Sequence, residues 1–105
     1  MITMTRYGIP TEDFQAILKV FESEQQVQEV ILFGSRAKGC FSEGSDIDLA
    51  LKGNNLSLNN LLNLSTALDE LFLPYKFDLV IFDRIQEPQL TDHIERVGIL
   101  IFNRE

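Results

Sequence analysis

The chain has 105 residues, 45% of them apolar, with one cysteine, which is enough for a core that needs no covalent staples. A single cysteine excludes an internal disulfide framework and a cysteine-based zinc site, and no stretch approaches the roughly 18 apolar residues of a membrane span. Sixteen acidic against nine basic residues leave a net charge of −7; this argues against direct binding to DNA or RNA and suits metal–nucleotide chemistry or the covering of a basic partner.

These properties predict one soluble, cytoplasmic domain spanning residues 1–105. The N-terminal MITMTRYGIPTED lacks the apolar segment of a signal peptide. The first helix is expected over 11–23, with Thr11 as N-cap and Phe14, Ile17, Leu18 and Phe21 at helical spacing. Residues 27–33 read as a buried strand that ends at a Gly34-Ser35 turn opening a short helix. A second strand is expected over 46–52, closed by Gly53-Asn54-Asn55. Over 57–72 a helical stripe follows, with Leu58, Leu61, Leu62, Leu68 and Phe72 as its apolar face. Pro74 separates it from a third strand over 76–82. The last helix runs over 87–97, with Pro88 in its first turn and Gly98 at its end, and 99–102 form a short final strand. Helices and strands therefore alternate along the chain, which predicts an α/β or α+β domain: a small mixed sheet flanked by helices.

The chemistry concentrates between Gly34 and Leu51. A Gly-Ser turn at the start of a helix offers free backbone N–H groups and a hydroxyl to phosphate oxygens. Ten residues separate Ser35 from Asp46, and on a strand Asp46 and Asp48 point to one face while Ile47 and Leu49 point to the other. Two carboxylates so close need a counter-charge, which a divalent metal supplies. Asp78 is the only acid within the apolar run of the third strand, where burial is costly unless the acid is paired or ligates metal. If that strand lies beside the second, three aspartates converge and can hold two Mg²⁺ ions about 3.5–4 Å apart. The third acid can also take a proton from a nucleophile.

Each feature has a plainer reading. Gly34-Ser35 can be a turn and helix cap, Asp46 and Asp48 solvent-facing strand residues, and Asp78 the partner of Lys76 or Arg84. An EF-hand fails because Leu49-Ala50-Leu51 supplies no oxygen side chains after the acids. His93, the only histidine, is expected away from the motif on the last helix. Cys40 carries no sign of a nucleophile. Cys40 and Phe41 make their loop more apolar than a solvated phosphate loop requires.

Taken together, the Gly34-Ser35 turn, the Asp46-x-Asp48 pair and the strand acid Asp78 resemble the polymerase-β-type nucleotidyltransferase superfamily. Within it, the chain is similar to the minimal nucleotidyltransferase antitoxins that partner HEPN-domain toxins. The resemblance implies that Asp46, Asp48 and Asp78 bind metal and carry catalysis, that Gly34 and Ser35 hold nucleotide phosphates, and that Arg36 contacts phosphate or partner. It implies Mg²⁺ as cofactor, ATP or another NTP as substrate, and transfer of AMP to a tyrosine hydroxyl of a HEPN ribonuclease. With no second domain expected, the acceptor site is shared with another chain or a second copy, so a homo- or hetero-oligomer follows. The rival expectation is an antitoxin that neutralises its HEPN partner by binding alone. A third is transfer to a small metabolite, against which stands the lack of a second domain to form its pocket.

Overall fold

The computed structural model describes residues 3–104; Met1, Ile2 and Glu105, the ends of the expected domain, lie outside the described residues. The elements follow the expected alternation: α1 (Thr11–Ser23), β1 (Glu29–Phe33), α2 (Gly34–Lys38), β2 (Ile47–Lys52), α3 (Leu58–Asp69), β3 (Phe77–Ile81), a 3₁₀ turn (Phe82–Arg84), α4 (Pro88–Val97) and β4 (Ile99–Asn103). The four strands form one sheet in the order β3-β2-β1-β4. β1 runs antiparallel to β2 and β4, whereas β2 and β3 are parallel, so the sheet is mixed. The α3 crossover supplies the long connection that a parallel pair needs.

Strand alternation divides the core between the two faces of the sheet. Val30 and Leu32 of β1 and Ile47, Leu49 and Leu51 of β2 pack with Ile17, Phe21, Leu64 and Leu68 of α1 and α3. On the other face Phe33 and Ala50 meet Ile94 of α4, with Ile31, Val80 and Leu90 packed against them. With both faces covered, β2 is apolar nearly throughout. Among the described residues no helix is long and apolar enough to cross a membrane.

Two expectations need correction. Thr11 is the first helical residue rather than the N-cap; Pro10 takes the cap position, with no side-chain hydrogen bond there. The buried face of α3 is also rotated from the one expected. Its ridge against α1 and β3 is formed by Leu61, Leu64, Leu68 and Leu71, at the i, i+3, i+7 spacing of a single stripe. Leu58 and Leu62 stand 58% and 56% exposed on its flank. Phe72 lies beyond the helix end with φ of 54°, its ring 89% exposed. The start of α3 is well specified: Ser57 and Asn60 form a reciprocal capping box.

Candidate active site

The end of β1 and the beginnings of β2 and β3 meet at one edge of the sheet. Phe33, the last residue of β1, pairs with Asp48, and Asp48 pairs in turn with Asp78 on the parallel strand. Asp48 and Asp78 share the alternation phase of Ala50 and Val80, so they lie on the α4 side of the sheet. Asp46 stands one residue before β2, in the same phase and exposed. The sheet register thus brings the three expected acids into one neighbourhood.

Gly34 sits directly over this group. Its φ of 75° lies in the left-handed region. A Cβ placed on it would collide with Oδ2 of Asp48 and stand 3.1 Å from Cγ. Glycine is therefore required twice, by its backbone angle and by the carboxylate packed beneath it. Gly34 and Ser35 open α2, a helix of five residues closed by Gly39.

Asp48 carries the electrostatic cost of this packing. Its pKa rises from 3.8 to about 6. Burial contributes most, followed by the charge of Asp78, the charge of Asp46, and a hydrogen bond shared with Asp78. No basic residue relieves it: among the described residues the one ion pair joins Arg96 to Asp92. Asp78 therefore has no ion pair with Lys76 or Arg84, and Arg84 donates instead to the Leu56 carbonyl at 3.5 Å.

Uncompensated carboxylates clustered at a half-open edge are hard oxygen donors that lack a cation, a set that fits Mg²⁺. The side chains as they stand do not form a closed cage, since among the described residues no three His, Cys, Asp or Glu are arranged to hold an ion. Burial and the neighbouring charges of Asp78 and Asp46 instead favour the protonated form of Asp48.

Arg36 departs from its expected role. It is 1% exposed, and its guanidinium donates only to carbonyls: Tyr7 at 2.9 Å, Gly8 at 3.3 Å, Glu43 at 3.3 Å and Ser45 at 2.9 and 3.2 Å. The rings of Phe41 and Tyr75 each lie 5.3 Å from its central carbon. A side chain this committed has no donor to offer a phosphate. The arrangement also accounts for the apolar loop, because Phe41 covers a buried arginine. Sequence reasoning noted Phe41 but not its role, and missed Tyr7 and Tyr75; the signal available was an aromatic ring in an otherwise polar loop, five residues beyond an arginine.

His93 also differs from expectation. It lies on α4 as anticipated, but its ring packs edge-on against Phe33 with centroids 6.2 Å apart, one residue from Gly34. Cys40 is an exposed loop residue. Two grooves lie away from the aspartates. One of about 370 Å³ is bounded by Leu58, Leu61, Val80, Ile85 and Leu90. Another of about 740 Å³ runs along the start of α4 to His93.

A glycine-opened helix beside three acids at the head of a mixed sheet is the arrangement of a nucleotidyltransferase domain. Residues 15–105 match the family model described as polymerase beta, nucleotidyltransferase, and the chain belongs to that family. No curated protein sequence matches it significantly. Among solved structures, a toxin–antitoxin crystal structure with AMP-PNP aligns at TM-score 0.71 and 22% identity, over 88% of this chain and 74% of that one. The complex of a tri-AMPylated Shewanella oneidensis HEPN toxin with an MNT antitoxin aligns at TM-score 0.66 and 20% identity, over 89% and 71%. The toxin–antitoxin MntA-HepT aligns at TM-score 0.65 and 20% identity, over 89% and 72%. At these identities the likeness is one of fold.

Proposed function

We propose that the protein transfers AMP from ATP to a tyrosine hydroxyl of a HEPN ribonuclease partner, and so acts as that toxin's antitoxin. The observation that carries this reading is Asp48: a carboxyl held protonated to about pH 6 between two other acids, directly under the glycine that opens α2. The clustered charges disfavour ionisation of Asp48, and the family's chemistry uses such acids on metal-bound triphosphate. The AMPylated toxin of the Shewanella complex and the AMP-PNP of its fold relative support the choice of nucleotide and acceptor class.

In this reading Asp46, Asp48 and Asp78 hold Mg²⁺, and the backbone N–H groups of Gly34 and Ser35 receive the triphosphate oxygens. When bound there, the ion would supply charge neutralisation at the triphosphate and lower the pKa of the attacking hydroxyl. Asp78 takes the proton of that hydroxyl as it attacks the α-phosphorus in line with departing pyrophosphate. Beyond these roles, the protein contributes chiefly by positioning.

Intact-mass measurement of the co-expressed partner, after incubation with this protein, ATP and Mg²⁺, tests the proposal. The expected outcome is mass gained in AMP-sized steps, with D48N slower by about 10² or more. Wild-type turnover by D48N would sink the triad. The open arrangement of the acids favours one other reading, inhibition by binding alone; a tight complex whose partner keeps its mass would establish it.

A further inference from the structure

We propose that Arg36 is the positioning residue of this site: it ties the Glu43–Ser45 loop to the helix that begins at Gly34, and so fixes Asp46 beside Asp48. This rests on the carboxylate reading above. Asp46 lies just outside β2, so the ladder anchors it only on its C-terminal side, through the Ile47 N–H to the Lys76 carbonyl. The residue before it, Ser45, is gripped twice through its carbonyl, by Nε at 3.2 Å and Nη2 at 2.9 Å of Arg36. Nη2 also takes the Glu43 carbonyl at 3.3 Å. A planar fork with fixed donors can hold these carbonyls at set angles, and an ammonium cannot.

The other two acids are linked to Arg36 through the chain and through one of its flanking rings. Arg36 is two residues along α2 from Gly34, which packs on Asp48. Its second flanking ring, Tyr75, lies two residues before β3 and three before Asp78. Nη1 binds the Tyr7 and Gly8 carbonyls, anchoring the N-terminal segment, while the Phe41 ring fills the space against Gly8. One buried cation thus joins the segments that carry Asp46, Asp48 and Asp78.

Arg104 provides the internal control. It also clamps carbonyls, those of Phe21, Glu22, Glu24 and Val27. It lies at the opposite end of the sheet, next to Asn103, which pairs with Glu29. A purely structural arginine clamp should behave alike at both places.

The test compares wild type, R36K, R104K and D48N as full chains. Amide hydrogen exchange is read at Ser45 and Ile47, whose N–H groups bond to Ser42 and Lys76, and Mn²⁺ alone is titrated by electron paramagnetic resonance. R36K should accelerate exchange at both amides and weaken Mn²⁺ binding about tenfold or more, while R104K changes neither. Unchanged exchange in R36K, or equal loosening of Ser45 by R104K, overturns the inference. If R36K fails to fold, F41L takes its place: it removes one ring from the guanidinium and should loosen Ser45 in the same direction, and unaltered exchange there is equally fatal. Absence of Mn²⁺ binding in the wild type, or Mn²⁺ binding by D48N as tight as wild type, refutes the metal reading; exchange at Ser45 still decides the role of Arg36.

Discussion

The fold makes Asp48 bind a proton more tightly than an ordinary aspartate, and that has a consequence for stability. Its pKa in the folded protein, about 6, lies above the ordinary 3.8, so the folded state binds the proton more tightly than the unfolded chain. The resulting stabilisation is complete below about pH 4 and is lost as pH rises through about 6. Without divalent ions, Tm should therefore fall across that window, and D48N should flatten the fall and raise Tm at pH 7.5. Parallel melting curves for wild type and D48N would show that protonation of Asp48 does not matter to folding. The identities of the three acids and of Gly34 could be read from residue type and alternation. The fate of Arg36 could not, because its acceptors are backbone carbonyls of segments distant in sequence and carry no side-chain signature.

The same contrast holds for whole elements. Alternating helices and strands follow from local periodicity and from proline and glycine punctuation, so element order and type were legible. Which stripe of α3 turns inward was not. Its leucines are numerous enough to offer two faces, and contact with α1 and β3 selects the ridge through Leu64 and Leu68. Leu64→Ala should accordingly cost about 2–5 kcal/mol, whereas Leu62→Ala should stay within about 0.5 kcal/mol. Chemical denaturation of the two variants measures the difference. Equal losses would return Leu62 to the core and undo the assignment of the face.

For the molecule as a whole, the charge of −7 bears on how a partner is met. If the proposed ribonuclease presents a basic groove, association should be steered electrostatically. Raising salt from about 0.05 to 0.5 M should then slow the on-rate by about tenfold or more while changing the off-rate less. Stopped-flow or surface-based kinetics decides this, and a salt-independent on-rate rules out steering by the net charge. The sequence by itself determined the alternation of elements, the apolar faces of the strands and the acids available for a metal site. These depend on residue type and on spacing along one element. The tertiary structure alone decided the register that sets Phe33 opposite Asp48 and Asp48 opposite Asp78, the half-burial that raises one carboxyl of the three, and the inward turn of Arg36. Each of these depends on which distant segments share a small volume, and the cost of charge in that volume is set by neighbours the local sequence does not specify.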